Sequence, residues 1–129
     1  MEIPYRYKAK VLRVVDGDTL DIEFDLGMHV KRTERVRLHG IDTPETYGVK
    51  KNSHEYVMGT AAKNFVVDQV AKARSVIIVD THKDKQGKYG RYVATVWLET
   101  IHSDDEDTVQ WISLNDWIVE EGYGERRKY

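Results

Sequence analysis

VVDGDTLDIEFDL, Val14–Leu26, is the stretch whose reading decides the fold. In it Leu20, Ile22, Phe24 and Leu26 alternate with Asp21, Glu23 and Asp25. Such alternation marks a strand with one buried and one solvated face. Upstream, Tyr7, Ala9 and Val11 alternate with Lys8 and Lys10, which predicts a strand running on to about Val15. Asp16-Gly17 lies between the two and signals a hairpin, because glycine tolerates the positive φ that tight turns demand.

Working outward, a third strand follows the Gly27 turn and runs roughly from Val30 to His39. Val36 and Leu38 oppose Arg35, Arg37 and His39, so Arg37 is expected to point away from the face those two bury. The period then changes. Asn52 with Glu55 three residues on reads as a capping box. Met58, Ala61/Ala62, Phe65/Val66, Val70 and Ala73 then recur every three or four residues, which predicts one long amphipathic helix. Val76–Val79 and Tyr92–Leu98 read as strands, and Val109–Ile112 as a partner for the latter across an acidic loop, Glu99–Asp107. Ser113 can cap a short last helix carrying Leu114, Trp117 and Ile118 on one face and ended by Gly122. Trp97, Trp111 and Trp117 occupy patterned positions expected in the core. This order predicts a mixed, mainly β fold: a five-stranded OB-type Greek-key barrel with a long helix after strand three and a short C-terminal helix. Residues 1–129 suit one domain. Barrels of this kind commonly bind nucleic acid or oligosaccharide.

Composition narrows the function classes. The chain is 40% hydrophobic and 33% charged, with a mean hydropathy of −0.61. No apolar run approaches the roughly 20 residues of a membrane span. The start, MEIPYRYKAK, has no apolar segment of the signal-peptide kind, so the expectation is an intracellular protein or a mature secreted form whose leader was removed. Zero cysteines exclude disulfides and thiolate zinc sites, and the five histidines show no zinc spacing. A net charge of −2 argues mildly against a nucleic-acid partner. Five of the acids crowd into Glu99–Asp107, however, while basic residues gather at Lys31–Arg37, Lys50–Lys51, Lys83–Arg91 and Arg126–Lys128. The overall balance can therefore hide a basic working face.

Three separated motifs carry the chemistry: DGDT at Asp16–Thr19, RLHGIDTPET at Arg37–Thr46 and KYGR at Lys88–Arg91. Each alone is an ordinary turn. Together they supply hard oxygen donors, an acid or base, and guanidinium forks. Asp18 and Asp42 offer carboxylates to a divalent cation, and the Thr43-Pro44 turn can aim a carbonyl at it. Glu45 can hold or deprotonate an attacking water. Arg37 and Arg91 can grip phosphate oxygens at two points and stabilise the charge that builds during attack.

These residues, at these spacings, resemble the staphylococcal nuclease (thermonuclease) family over nearly the whole chain. DGDT, the arginine five residues before Asp42, DTPET and KYGR all stand as that family has them. The resemblance implies an OB barrel and a Ca²⁺-dependent nuclease that hydrolyses DNA and RNA to leave 3′-phosphate ends. By resemblance Asp18, Asp42 and the Thr43 carbonyl bind calcium, Glu45 orients or activates water, and Arg37 and Arg91 bind the scissile phosphate. Lys88 and Tyr89 match positions that contact a terminal phosphate, and Asp16 matches an acidic neighbour of the metal. A monomer is the default, with no membrane partner. The chain departs from the best-known member in a longer loop after Glu45 and in ending soon after the short helix. Tyr123 and Tyr129 fall at positions offset from the family's late tyrosines.

Two rivals stand beside this reading. One is a non-catalytic module that holds nucleic acid or a protein partner. The other is an oligosaccharide-binding barrel, which leaves both arginines unexplained.

Overall fold

The opening hairpin forms as expected. In the computed structural model, which describes residues 5–46, 48–73, 77–82, 92–102 and 105–127, β1 (Arg6–Asp16) pairs antiparallel with β2 (Thr19–Asp25). Leu20, Ile22 and Phe24 are buried between more exposed Asp21, Glu23 and Asp25, so the period-two pattern has done what a half-buried strand requires. Gly17 has a different reason from the expected one. Its φ is not positive. A Cβ there would lie 2.9 Å from both the Ala62 Cβ and the Thr43 Oγ1, so glycine is needed for close approach rather than for turn geometry.

From β2 the chain passes Gly27 into β3 (Lys31–Leu38), antiparallel to β2 with Thr19 opposite Arg37. It turns at Gly40 into a two-residue strand, β4 (Ile41–Asp42), and then enters α1 (His54–Lys72). The cap lies one residue past the expected box. Ser53, not Asn52, accepts the Tyr56 N–H at 3.1 Å. Gly59, Ala62 and Val66 form the buried stripe of α1, while Met58 sits at its exposed margin.

The later strands close the sheet. β5 (Ile77–Thr81) pairs antiparallel with β1, and β6 (Tyr92–His102) pairs antiparallel with β5. β6 also runs parallel to β3, with Val36 opposite Tyr92 and Leu38 opposite Ala94. That pairing joins the ends of the order β3-β2-β1-β5-β6 into a closed five-stranded barrel with two helices, consistent with the OB-type architecture expected. Closure removes the free edges a flat sheet would leave. Inside lie Leu20, Ile22, Val36, Leu38, Val79 and Val96, with Val66 of α1 over one side.

β7 (Asp105–Ser113) adds to the outer edge of β6. The acidic run is therefore mostly strand: β6 continues to His102 and β7 starts at Asp105, with Thr100 opposite Gln110 and Ile101 opposite Val109. The register shifts between Ile101 and His102, which faces Asp105, so Glu106 and Asp107 fall where the ladder is irregular. Because β7 stands outside the barrel, Trp111 is exposed rather than in the core. Trp97 and Trp117 are half-buried, and Trp97 Nε1–H donates to Asp80 Oδ2 at 3.1 Å.

α2 (Leu114–Glu120) starts at Ser113, whose hydroxyl accepts the Asp116 N–H at 3.3 Å, and stops at Gly122 with φ 81°. Leu114 and Ile118 complete the core. The chain then returns as β8 (Glu125–Arg126), which pairs antiparallel with β4 so that Asp42 faces Glu125. Among the described residues no helix is long and apolar enough to cross a membrane.

Candidate active site

The β1–β2 turn, the end of β3 and the segment after β4 meet at one place. Asp18 is buried and held from three sides. Its carbonyl accepts the Leu38 N–H at 2.8 Å. Its Oδ1 accepts the Thr19 hydroxyl at 3.0 Å, and its Oδ2 accepts the Thr43 N–H at 3.2 Å. Arg37 leaves the core face of β3 as alternation requires, yet it is only 8% exposed. Ile41, Asp42 and Asp18 cover it. Nη2 donates to the Ile41 carbonyl at 3.2 Å and to Asp42 Oδ1, and lies 3.6 Å from Asp18 Oδ2. One guanidinium nitrogen thus bridges the two carboxylates expected to hold a cation. Asp18 is the inner carboxylate, and the Asp42 side chain is half exposed at 51%.

Two buried side-chain polar atoms among the described residues make no hydrogen bond within the protein: Arg37 Nε and Thr43 Oγ1. Both belong to this site. Buried polar groups are nearly always satisfied, which makes the two orphans unusual; Thr43 Oγ1 lies against Gly17, where an added Cβ would come within 2.9 Å of it. No three His, Cys, Asp or Glu side chains among the described residues converge as a metal-binding set. Two carboxylates with a cation already spanning them fit a hard divalent ion only in an open arrangement, completed by waters or a ligand's oxygens. Within that limit the donor set suits a hard divalent cation rather than a soft one.

Glu45 follows on the loop between β4 and α1. Burial, then the charges of Asp18 and Asp16, raise its pKa above the ordinary carboxylate value, with Arg37 acting weakly in the opposite sense. A carboxylate so placed holds a proton more readily than one in water, as a general base must. Asp16 plays a supporting part: its Oδ1 accepts the Thr46 hydroxyl, tying the first hairpin to the Glu45 loop.

The third motif is not reached. Lys88, Tyr89 and Arg91 lie outside the described residues, as does the rest of the cluster Lys83–Arg91. Tyr92, which follows Arg91, is placed opposite Val36, beside the strand that carries Arg37. The basic face expected at Lys31–Arg37 is largely neutralised. Lys31 pairs with Glu23 at 3.6 Å, Arg32 with Glu34 at 2.7 Å and Arg35 with Asp21 at 2.8 Å. Tyr123 stacks on Phe65 with ring centroids 4.6 Å apart, so it packs against α1. Tyr129 lies outside the described residues.

Sequence reading missed several residues that shape the site. Asn115 of α2 is buried and donates through Nδ2 to the carbonyls of His39 at 2.9 Å and Ala94 at 3.1 Å, while its Oδ1 accepts the Val96 N–H at 3.1 Å. It thereby fixes the turn between Arg37 and Asp42. Nothing in a lone asparagine inside a helical pattern announces this. Gly59 lets α1 pass against the loop, since a Cβ would come within 2.6 Å of the Pro44 carbonyl oxygen. Arg127 places Nη1 3.6 Å from Asp42 Oδ1. Beside Asp42, a cleft of about 510 Å³ opens between Pro44, the start of α1 at His54 and Met58, and Tyr123.

Comparison with known proteins agrees with the motifs. Residues 35–129 match the family model described as "Staphylococcal nuclease homologue". The chain is 42% identical over 88 residues to a protein named thermonuclease from Staphylococcus intermedius, covering 68% of this chain and 47% of that protein. It is 34% identical over 89 residues to another from Staphylococcus hyicus, covering 69% and 47%. An uncharacterized protein of Methanocaldococcus jannaschii is 28% identical over 132 residues, covering 91% of this chain and 58% of that one. The chain thus spans about half the length of these relatives. Three motifs, a barrel that gathers two of them, and a model match over most of the chain lead to one conclusion: the chain belongs to the staphylococcal nuclease family.

Proposed function

We propose that this protein is a calcium-dependent nuclease that hydrolyses phosphodiester bonds of DNA and RNA and leaves 3′-phosphate ends, acting as a monomer. The observation that carries the reading is the buried Arg37 guanidinium: it touches both carboxylates of the oxygen site and keeps Nε unpartnered. A phosphate oxygen would satisfy that nitrogen and form the two-point contact that arginine favours. When bound, calcium supplies charge neutralisation at the phosphoryl oxygens.

The chain's own residues carry the remaining roles in this proposal. Asp18, Asp42 and the Thr43 carbonyl hold the cation. Glu45 takes a proton from a water as its oxygen attacks phosphorus, and the bond from phosphorus to the 5′ oxygen breaks. The leaving oxygen takes a proton from solvent and becomes a 5′-hydroxyl, Glu45 returns its proton to solvent, and the phosphate stays on the 3′ side. Arg37, with Arg91, opposes the charge that accumulates on the equatorial oxygens. Lys88 and Tyr89 contact a terminal phosphate, and Asp16 keeps the Glu45 loop in register through Thr46.

The test is digestion of single-stranded DNA and of RNA with calcium, against the same reaction in excess chelator, with product termini analysed. Calcium-dependent cleavage to 3′-phosphate ends is the expected result. Equal, negligible cleavage in both conditions sinks the reading, and in that case retained binding by wild type and Glu45→Gln would favour a holding module instead.

A further inference from the structure

We propose that one mouth of the barrel is a base-binding pocket, which takes a single nucleobase of the bound nucleic acid and fits guanine best. The inference rests on the nuclease reading and extends it from the phosphate to the base.

A pocket of about 200 Å³ lies between Tyr7, Phe24, Arg32, Glu34, Thr81 and Tyr92. These residues come from β1, β2, β3, β5 and β6, so all five barrel strands form its walls. Barrel mouths are common ligand sites, but this one is smaller than the roughly 300–1,000 Å³ of pockets for drug-sized molecules. It suits one planar ring system. The register connects it to the candidate active site. The ladder between β3 and β6 pairs Val36 with Tyr92, then Arg37 with Val93, and Arg32 and Glu34 precede it on β3. At about 3.3 Å per residue, Glu34 is about 10 Å along β3 from Arg37. A nucleic acid whose phosphate is held at Arg37 therefore has a neighbouring base within reach of the pocket.

The walls depart from what a barrel interior calls for. By alternation Arg32 and Glu34 share the inward face of Val36 and Leu38, where side chains are ordinarily apolar. They form an ion pair at 2.7 Å, and the Arg32 guanidinium lies 5.8 Å from the centre of the Tyr92 ring. Tyr7 and Phe24 meet edge to face with ring centroids 5.6 Å apart. Aromatic surface beside one charged pair complements a nucleobase, a flat ring whose polar groups are confined to its edge. Of the four bases, guanine alone sets two adjacent donors, N1–H and N2–H, beside an acceptor, O6. The Glu34 carboxylate can accept both donors while Arg32 donates to O6.

The experiment uses the full chain in a Glu45→Gln background that blocks cleavage, with Glu34→Gln and Arg32→Lys added singly. The Glu34 and Arg32 side chains are 26% and 59% exposed, so both substitutions spare the core. Anisotropy in calcium compares a labelled oligothymidylate with the same oligonucleotide carrying one internal guanine. Free guanosine, which has no phosphate, is titrated separately and followed by amide NMR shifts. The guanine oligonucleotide is expected to bind about fivefold more tightly, and guanosine to shift Tyr7, Phe24 and Tyr92. Glu34→Gln should abolish the preference and weaken binding of the guanine oligonucleotide. Loss of a negative charge would by itself strengthen binding of a polyanion, so the sign separates base recognition from the general field. Arg32→Lys keeps the charge and should also lose the preference. Equal affinity for the two oligonucleotides, or tighter binding of the guanine one by Glu34→Gln, overturns the pocket, while calcium-dependent cleavage by wild type leaves the nuclease reading standing. If wild type neither cuts nor binds either oligonucleotide in calcium, that reading falls and guanosine decides the pocket. Shifts that Glu34→Gln removes would then keep it, and no shifts would sink it.

Discussion

Glu45 is a carboxyl whose ionisation the fold resists, and that has a thermodynamic consequence beyond its proposed role. Its folded-state pKa is raised, by burial first and by Asp18 and Asp16 next. Below the ordinary carboxylate pKa of about 4.5, which the unfolded chain has, both states are protonated and Glu45 imposes no penalty. As pH rises through the higher folded value, the native state must hold a charge it disfavours, and stability is lost. Glu45→Gln removes that charge. Thermal unfolding in chelator should therefore show the variant melting above wild type at pH 7–8, with the difference vanishing below about pH 4. A constant difference across that range would mean that Glu45 is not under electrostatic pressure. Arg37 shows the limit of reading at this scale. Alternation correctly turned it away from the Val36 and Leu38 face, but its burial comes from Ile41, Asp42 and Asp18, which alternation does not see.

Between elements, the important feature is how closely α1 approaches the segment after β4. Gly59 faces the Pro44 and Glu45 carbonyls, and an added Cβ would meet them at 2.6 and 2.9 Å. In an open helix, glycine to alanine gains about 0.5–1 kcal/mol. Here the new methyl group meets backbone, which cannot rotate aside. Gly59→Ala is thus expected to reverse the usual sign, lowering the melting temperature and displacing Glu45, with cleavage falling at least tenfold. A melting temperature equal to or above that of wild type would show that the loop yields freely. The helix itself was legible from its three-to-four spacing, and the cap only to within one residue. Asn52 and Ser53 are both good cap formers, and the choice between them depends on the backbone path into the helix. The acidic run misread as a loop teaches the converse. Charge density in sequence says little about where a strand ends, since β6 runs to His102 and β7 begins at Asp105.

Across the whole molecule, Asn115 links α2, β6 and the turn between β3 and β4 through three hydrogen bonds. Asn115→Ala would leave the buried Val96 N–H without its acceptor and take one donor each from the His39 and Ala94 carbonyls, the latter keeping the His39 N–H, at about 1–3 kcal/mol for each group left unsatisfied and not rescued by water. We expect a loss of about 2–4 kcal/mol by urea unfolding, together with weaker calcium binding as the Arg37–Asp42 turn loosens. A loss below about 1 kcal/mol would show that the barrel holds that turn without α2. Barrel closure is likewise a property of the whole. β6 pairs with β3 across more than fifty residues of chain, and that parallel register sets Tyr92, and so the entry to β6, beside the strand carrying Arg37.

What the sequence determined by itself was local and periodic: the strands around Asp16-Gly17, the long helix, the cap at Ser113 and the residue types of the proposed phosphodiester-cleaving site. Those signals survive in one dimension because a strand repeats every two residues and a helix every 3.6. Only the tertiary structure decided that Arg37 is buried against Asp18 and Asp42, and that Gly17 and Gly59 are needed for clearance. It alone decided that β8 returns Arg127 to the same carboxylate. Each of these depends on which distant segment becomes a neighbour. Closing the barrel sets those neighbours, and no local pattern encodes them.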